Sequence, residues 1–180
     1  MRVITGAARG RRLFSPVGRD VRPTTEVTKE AMFSILQFEL QGARVLDLFA
    51  GSGQLGIEAL SRGAKSCVFV DNARASQELV RKNLEHTGLA QGARVAGTDA
   101  KSFLAGCREE FDIALLDPPY SQGLIEEVLP LLAEKMSAAG VILCETDKRE
   151  ELPEMAGSLP LYRTYRYGKS KLTVYRRRDA

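Results

Sequence analysis

Four consecutive residues, Asp117-Pro118-Pro119-Tyr120, combine groups that could act on an amino group. They follow the apolar run 111–116, which is typical of a buried parallel strand, and α/β sheets carry their chemistry at the carboxyl ends of such strands. The prolines supply no amide hydrogens, so their rigid carbonyls can only accept hydrogen bonds. A nucleobase amino group has two N–H donors, which Asp117 and the Pro118 carbonyl could accept while the Tyr120 ring stacks on the base. The nitrogen lone pair would then face an electrophile.

A glycine-rich turn upstream indicates a second ligand-binding element. Gly51, Gly53 and Gly56 match the spacing G-x-G-x-x-G between an apolar strand and a helix, where a ligand can approach the backbone closely. Dinucleotide folds share this spacing, but their loop seats a pyrophosphate, which the carboxylate of Asp47 would repel. Asp47 instead suits a ligand that has a positive amino group and no phosphates.

Acidic residues also end the next two predicted strands. Asp71 follows the strand 66–70 about 20 residues past the glycine turn, where a carboxylate can bind ribose hydroxyls. A third apolar stretch ends in Thr98-Asp99-Ala100, which gives another acceptor at the same edge of the sheet. A positive amine, a ribose and a base edge together describe S-adenosylmethionine. The predicted cofactor-binding residues at these strand ends are Asp47, Phe49, Gly51, Gly53, Asp71, Asn72, Asp99 and Ala100.

Both motifs also have a structural interpretation. D-P-P-Y could be a strand that ends in a common Asp-Pro turn. The aspartates at the strand ends could cap the helices that follow them, as aspartate often does. Their shared position at the ends of strands favours a binding site over coincidence.

The motifs V-L-D-L-F-A-G-S-G and D-P-P-Y, with the acidic end of the second strand, resemble class I S-adenosylmethionine-dependent methyltransferases that modify exocyclic amino groups. Residues 1–6, 9–13 and 22–25, followed by a helix through Phe33, resemble the RsmD family. The resemblance covers nearly the whole chain, and the segment after Asp147 is the least diagnostic part. These are bacterial enzymes that methylate the 2-amino group of one guanine, conventionally numbered 966, in small-subunit ribosomal RNA.

The resemblance implies a cofactor, a partner and further site residues. S-adenosylmethionine would donate the methyl group, and ribosomal RNA or the small ribosomal subunit would receive it. Thr25 and Lys29 could meet the carboxylate of the cofactor. In-line transfer would require Asp117 and the Pro118 carbonyl to hold the amino hydrogens and favour a pyramidal nitrogen, with positioning supplying most of the rate.

The chain organisation predicts an α/β, Rossmann-like fold with seven strands, mostly parallel, and helices on both faces. Five strands are predicted at 44–49, 66–70, 94–97, 111–116 and 141–145, each followed by a helix. Thr25 is the predicted N-cap of a preceding helix, Glu26–Leu40, whose apolar stripe we expect to pack inward. That stripe consists of Val27, Ala31, Ile35 and Phe38.

Both ends of the chain are basic. Residues 1–22 hold six arginines against one acid, and we predict that they form a β-hairpin extension to the methyltransferase domain at 23–180. The predicted RNA-binding residues are Arg9, Arg11, Arg12 and Arg22. A charged edge that discourages aggregation is the structural interpretation of the same residues. Residues 161–178 hold seven Lys or Arg and no acid, but their alternation with tyrosine favours a structural hairpin over an RNA surface.

Composition fits a single intracellular domain. The chain has 180 residues, of which 44% are hydrophobic, and its three cysteines show no C-x-x-C spacing. His86 is the only histidine, which argues against a metal cluster or a Ser-His-Asp site. No signal stretch is visible, and no run of about 18 apolar residues could span a membrane. We therefore expect a cytoplasmic monomer without a metal.

Three other functions fit parts of the pattern. A DNA adenine or protein glutamine methyltransferase shares the amino-group chemistry, and substrate assays separate these functions. The lack of a large target-recognition domain argues against a DNA methyltransferase. A nicotinamide oxidoreductase is disfavoured by Asp47, and a cofactor titration would decide. A non-catalytic RNA-binding module would keep the basic ends but would not need D-P-P-Y.

Overall fold

One mixed sheet forms the centre of the protein in the computed structural model, which describes residues 1–17, 24–120 and 122–177. Its strand order is β3-β2-β1-β4-β5-β8-β7-β6, in which β1 to β5 are parallel and the remaining pairs are antiparallel. The strands are β1 (Arg44–Asp47), β2 (Ser66–Val70), β3 (Ala93–Ala96), β4 (Phe111–Leu116), β5 (Met136–Asp147), β6 (Met155–Ala156), β7 (Leu159–Tyr167) and β8 (Ser170–Tyr175).

Helices cover both faces of the sheet because its central strands are apolar on both sides. Val45 of β1 packs in one hydrophobic cluster and the next residue, Leu46, packs in the other, as the alternation of a strand requires. The first cluster includes residues of α1, α2 and α3, and the second includes residues of α4 and α5. The helices are α1 (Glu26–Ile35), α2 (Gln54–Ser61), α3 (Arg74–Thr87), α4 (Ala100–Gly106) and α5 (Leu124–Ala133).

The predicted α/β fold is confirmed, with two differences in its elements. The sheet has eight strands and not seven, because the two residues Met155–Ala156 pair with the start of β7. A helix does not follow every strand, since the described residues 148–154 after β5 contain none. The carboxyl-terminal hairpin is confirmed as β7 and β8.

Helix α1 buries a face that differs in part from the predicted one. Thr25 is its N-cap, with Oγ1 accepting a hydrogen bond from the Thr28 amide at 3.2 Å, as predicted. The helix ends at Ile35, however, and the predicted apolar stripe is confirmed only for Ala31 and Ile35, which pack partly buried against the first cluster. Val27 is 67% and Phe38 is 89% exposed. The buried residues of the helix are Thr28, Lys29, Met32 and Phe33. Both stripes have helical spacing, so tertiary contacts decide between them.

The amino-terminal residues form a hairpin that packs on the domain. The Val3 amide donates to the Arg11 carbonyl at 2.9 Å, and the Gly10 amide donates to the Val3 carbonyl at 2.8 Å. Val3, Ala8 and Leu13 are buried in the first cluster. The hairpin is therefore confirmed, although its ladder is only a single bridge between Arg2 and Arg12. The predicted boundary at residues 22 and 23 lies outside the described residues.

One buried carboxylate, that of Glu58 in α2, holds this hairpin. Glu58 is fully buried and accepts hydrogen bonds from the Ile4 amide at 2.8 Å and the Thr5 amide at 3.0 Å. Its other contacts are ion pairs with Arg62 at 2.8 Å and with the buried Lys29 at 3.5 Å. Burial lowers the pKa of Lys29, and the neighbouring Glu58 opposes that shift. Glu58 therefore joins the hairpin to both α1 and α2.

Replacing Glu58 with alanine should destabilise the protein by about 3–5 kcal/mol, because it leaves Lys29 as an uncompensated buried charge. The Ile4 and Thr5 amides lose their acceptor as well. Equilibrium urea unfolding measures the loss. Glu26→Ala is the matched control, since it breaks the exposed Arg2–Glu26 pair and removes only a weaker, longer-range attraction to Lys29, and it should cost below about 1 kcal/mol. Equal losses in the two variants would contradict this role of Glu58.

Candidate active site

The glycine turn after β1 leaves open space next to a tightly packed helix. Gly53 is the N-cap of α2 at a φ of 79°, and a Cβ there would lie 3.2 Å from the methyl groups of Val80. A Cβ on Gly56 would lie 2.3 Å from the Phe69 ring, so α2 packs directly on β2. At Gly51, by contrast, a Cβ would meet nothing within 4 Å. The turn can therefore admit a ligand close to its backbone.

Asp47, at the end of β1, is buried, and only one of its two carboxylate oxygens has a hydrogen-bond partner. It is 1% exposed, and Oδ2 accepts a hydrogen bond from the Gly56 amide at 3.0 Å. Oδ1 is buried and has no hydrogen-bond partner. Burial raises the pKa of Asp47 to about 7. Gly53 is the N-cap residue of α2 and makes no side-chain bond, so Asp47 Oδ2 is the acceptor that caps the Gly56 amide in the first turn. An unpaired buried carboxylate oxygen of this kind is suited to an ammonium group of a ligand.

Asp71 connects the loop after β2 to the glycine turn. Its Oδ2 accepts from the Gly51 amide at 2.9 Å, and its Oδ1 accepts from the Ala73 amide at 2.9 Å. The N-cap of α3 is Ala73, without a side-chain bond, so Asp71 does not cap that helix. Each oxygen keeps a further lone pair for a hydroxyl donor. Asn72 is exposed beside it.

Asp99 caps the helix that follows it, as the structural interpretation of the sequence predicted. Its Oδ1 accepts from the Ser102 amide at 2.9 Å and caps α4, and this bonding to Ser102 lowers the pKa of the exposed carboxyl. Ala100, the first residue of α4, is buried. Phe49, after β1, packs half-buried against the second cluster. The participation of these three residues in a cofactor site stays a prediction.

Asp117, at the end of β4, has a fixed orientation and a raised proton affinity. The Thr24 hydroxyl donates a short hydrogen bond to its Oδ2. Burial raises the pKa of Asp117 to about 8, and the neighbouring carboxylate of Glu145 adds to that rise. Pro118 is buried and Pro119 is exposed. The Asp117 carboxyl therefore keeps its proton to a higher pH than an ordinary aspartate, and its oxygens can still accept hydrogen bonds.

Tyr120 is held through its hydroxyl group. It donates to Glu145 Oε1 at 3.0 Å, and the Ser170 hydroxyl donates to the same oxygen at 2.9 Å. The Tyr120 and Ser170 hydroxyls are 3.2 Å apart. Burial raises the pKa of Tyr120 to about 12, which keeps the phenol neutral. Glu145 is 2% exposed, and its Oε2 has no partner. The half-buried Tyr120 ring is thus fixed next to Asp117.

The sequence interpretation missed three members of this site. Glu145 follows the apolar run 141–144, and an acid at the end of a buried strand was a signal that could have found it. Thr24 and Ser170 carry no such signal, because polar residues in turns are common. Strand pairing brings Ser170 into place, since it lies opposite Asp147 in the antiparallel pair of β5 and β8.

Lys29, which the family resemblance placed near the cofactor carboxylate, is buried between the hairpin and α2, and its contact with a cofactor stays a prediction. Lys29 is 1% exposed, and its Nζ donates to the Arg2 carbonyl at 2.5 Å. Its other partner is Glu58 in α2. These contacts give Lys29 a structural role in holding the hairpin. Thr25 is better placed for a ligand, because it adjoins Thr24, which contacts Asp117.

The arginines of the hairpin lie at different distances from the glycine turn. Arg11 donates to the His86 carbonyl at 2.7 Å in the last turn of α3, so it has an internal role. Arg9 lies at the hairpin tip, which contacts Ser61 at the far end of α2. Arg12 lies at the open end, beside the Met1 residue whose sulfur contacts the Ser52 hydroxyl at 3.5 Å. Arg22 lies outside the described residues.

The described residues contain neither a metal-binding group nor a membrane-spanning helix. No three His, Cys, Asp or Glu side chains in that part of the chain are arranged to hold a metal ion. None of its helices is long and apolar enough to cross a membrane. The three cysteines are buried and unpaired, as predicted.

Comparison with known proteins covers nearly the whole chain. A family model described as "Conserved hypothetical protein 95" matches residues 1–176. Ribosomal RNA small subunit methyltransferase D of Escherichia coli (strain K12) is 36% identical over 179 residues, covering 98% of this chain and 90% of the relative. YlbH of Bacillus subtilis (strain 168), named as a candidate rRNA methyltransferase, is 40% identical over 183 residues, covering 99% and 100%.

Solved structures that superpose on this chain include other methyltransferases. A candidate methyltransferase, yhhF from Escherichia coli, superposes with a TM-score of 0.87 at 37% identity, covering 98% of this chain and 97% of that chain. RsmC of T. thermophilus, a 16S rRNA N2 G1207 methyltransferase in complex with AdoMet and guanosine, has a TM-score of 0.71 at 25% identity. This match covers 90% of this chain and 44% of RsmC. The fold is therefore that of class I methyltransferases.

Asp117→Asn should raise the melting temperature at pH 8–9 but not at pH 4. The pKa of an unfolded aspartate is about 4, and that of folded Asp117 is about 8. The folded state is therefore favoured by the neutral carboxyl below pH 4 and loses that advantage as the pH rises to 8, while asparagine stays neutral throughout. Thermal unfolding of the protein without ligands across this pH range measures the effect.

Asp112→Asn is the matched control on the same strand, because Arg44 lowers the pKa of Asp112 to about 2. The stabilisation by Asp112 is therefore present above pH 4 and lost as the pH falls toward 2. This variant should melt below wild type at pH 8. A pH-independent difference for Asp117→Asn would contradict the raised pKa.

Proposed function

The chain belongs to the family described as "Conserved hypothetical protein 95", and we propose that it methylates the 2-amino group of a guanine in 16S ribosomal RNA. Its relative in Escherichia coli is named as a small-subunit ribosomal RNA methyltransferase, and the activity at this coarser level is that of the family. The structural neighbour RsmC acts on a guanine N2 and was solved with guanosine. The family resemblance points to the guanine numbered 966. We also propose a monomer that acts in the cytoplasm on ribosomal RNA or the small-subunit particle.

S-adenosylmethionine is the cofactor, and when bound it supplies an electrophilic methyl group on a sulfonium. The unpaired Asp47 Oδ1 fits the amino group of its methionine part. Asp71 offers acceptors for the ribose hydroxyls beside the open space at Gly51. Asn72, Phe49, Asp99 and Ala100 would surround the adenine, and Thr25 the methionine carboxylate. Lys29 is left out of this site because its ammonium group already has partners.

The observation that carries the proposal is the fixed pair of Asp117 and Tyr120 at the end of β4. Thr24 occupies Oδ2 of Asp117, so the other oxygen can accept an N–H of the guanine amino group. The Pro118 carbonyl can accept the second N–H, and the Tyr120 ring can stack on the base. Because the amino lone pair is delocalised into the ring, holding both hydrogens favours the pyramidal nitrogen that attack requires.

Asp117 also provides for the proton that methylation releases. As the nitrogen–carbon bond forms and the sulfur–carbon bond breaks, the amino nitrogen becomes strongly acidic. The ionised carboxylate of Asp117 would accept that proton, because burial and Glu145 raise its pKa and make it a stronger base than an ordinary aspartate, and it would return the proton to solvent as the pH rises above that pKa. Glu145 contributes by raising that pKa and by holding the Tyr120 hydroxyl.

The other functions that fit the sequence are less well supported by this geometry. A pyrophosphate cofactor would meet the buried carboxylate of Asp47 directly behind the glycine turn. An RNA-binding module without catalysis has no use for a buried and a partly buried carboxyl group beside a fixed aromatic ring. Adenine and glutamine amino groups would satisfy the same acceptors, so assays with RNA, DNA and protein substrates decide among them.

Asp117→Ala should lower the rate of methyl transfer at least about a hundredfold, as expected for loss of one preorganised polar contact. Single-turnover transfer of labelled methyl groups to 16S ribosomal RNA measures the rate. Calorimetry should show S-adenosylmethionine affinity within about threefold of wild type, because this carboxyl faces the acceptor. Asp112→Asn, at the other end of β4, should keep the normal rate. A rate near normal in Asp117→Ala would defeat the proposed mechanism.

Asp71→Ala should weaken S-adenosylmethionine binding by roughly 1.5–3 kcal/mol through the loss of charge-assisted hydrogen bonds to the ribose. The Gly51 amide also loses its acceptor, which loosens the turn. Titration calorimetry measures the affinity. Glu78→Ala, which removes an exposed acid of α3, is the control and should bind normally. Unchanged affinity in Asp71→Ala would restrict Asp71 to organising the two loops.

A further inference from the structure

The turn between β7 and β8 lies at the catalytic edge of the sheet. Because β8 runs antiparallel to β5, its first residue, Ser170, pairs with Asp147 at the carboxyl end of β5. The Ser170 hydroxyl is 3.2 Å from that of Tyr120. Lys169 directly precedes Ser170, and its carbonyl accepts from the Lys148 amide at 2.9 Å. Lys148 and Lys169 therefore lie side by side, next to the residue that positions Tyr120.

Arg166 adds a third cation to this edge. It pairs in register with Lys171, one residue after Ser170. Tyr165 and Tyr167 pack against the first hydrophobic cluster, and Ser170 pairs with Tyr167. Arg166 therefore projects from the face of the hairpin opposite to Ser170, at the same end of the strands. We call Lys148, Arg166 and Lys169 the basic rim. All three are exposed.

The charged groups of the basic rim have no ion pair or hydrogen bond within the described part of the chain. Other exposed arginines do have acidic partners, for example Arg2 with Glu26 and Arg74 with Glu78. Acids near the rim are also engaged. Glu151 pairs with Lys171 at 3.1 Å, and Asp147 Oδ1 accepts from the Arg149 amide at 3.0 Å. The three cations of the rim therefore have no acidic side chain bound to them among the described residues, and the nearest carboxylate along the chain is that of Asp147, next to Lys148.

We propose that the basic rim binds the phosphates that flank the target nucleotide, an inference that rests on the proposed function. To reach Tyr120 the guanine must leave its stack, and its own phosphates then come to the edge of the site. The site itself repels RNA when its carboxyl groups are ionised. Cations at the rim offset this repulsion and fix the backbone while the base enters.

The rim differs in position from the amino-terminal arginines. The hairpin tip with Arg9 contacts the end of α2 that points away from the glycine turn, and Arg11 binds the last turn of α3. Both helices begin at the catalytic edge and run away from it. Arg9 and Arg11 therefore reach RNA that lies farther from the target, and Arg12, at the open end of the hairpin near Ser52, lies at the glycine turn, whereas the rim lies beside the β7–β8 turn.

The test is a variant with Lys148, Arg166 and Lys169 all replaced by alanine. Its control replaces Lys65, Arg81 and Arg108, which are equally exposed, have no charged partner among the described residues and lie away from the catalytic edge. Both variants lose three positive charges. Binding of a short single-stranded RNA that contains the target guanine is measured across a salt series, with S-adenosylmethionine affinity and thermal unfolding as checks of the fold.

The rim variant should bind this RNA at least about tenfold more weakly at low salt. Its log–log salt slope should be smaller by about 2, since each phosphate contact contributes about 0.7 for single strands. Cofactor affinity should not change, and the control should keep most of the wild-type affinity and slope. Equal losses in both variants, or an unchanged slope in the rim variant, would overturn the proposal. Wild-type protein that binds this RNA without methylating it would contradict the proposed function, while the slope of the rim variant would still decide the role of the rim.

Discussion

Carboxyl groups at the ends of three neighbouring strands, two of them buried and that of Asp117 partly buried, are the constraint on which the rest of the site depends. β1, β4 and β5 lie side by side and parallel, so Asp47, Asp117 and Glu145 meet at one edge of the sheet. Burial raises the pKa of Asp47 and of Asp117. One oxygen of Asp47 and one of Glu145 have no partner. Such groups cost stability in the folded state, and a ligand that supplies donors and positive charge removes that cost.

The remaining structure keeps these groups rigid and apart from water. Apolar strands covered by helices on both faces give the carboxyl groups their buried setting. The antiparallel hairpin of β7 and β8 adds Ser170, which holds Glu145 and Tyr120 together. A carboxyl-terminal hairpin that looks purely structural in the sequence thus supports the catalytic ring from one side and carries the basic rim on the other.

Much of the fold and of the site could be predicted from sequence, because both follow from local patterns. Continuous apolar runs located β2 and β4 at their observed bounds. The residues that follow these strands include Asp71 and Asp117. What could not be predicted depends on distant partners. Lys29 is buried because Glu58 lies opposite it, and no spacing within α1 reveals that pair. Ser170 enters the site only through the register of β8 on β5.

The identity of the methylated nucleoside tests the central claim most directly. Small-subunit ribosomal RNA from cells lacking this protein is incubated with the protein and isotopically labelled S-adenosylmethionine, digested to nucleosides and analysed by mass spectrometry. The geometry of Asp117 and the Pro118 carbonyl predicts that the label appears in N2-methylguanosine. Label in a ribose or on a ring carbon would contradict the account, because neither acceptor presents the two N–H donors for which this site is arranged.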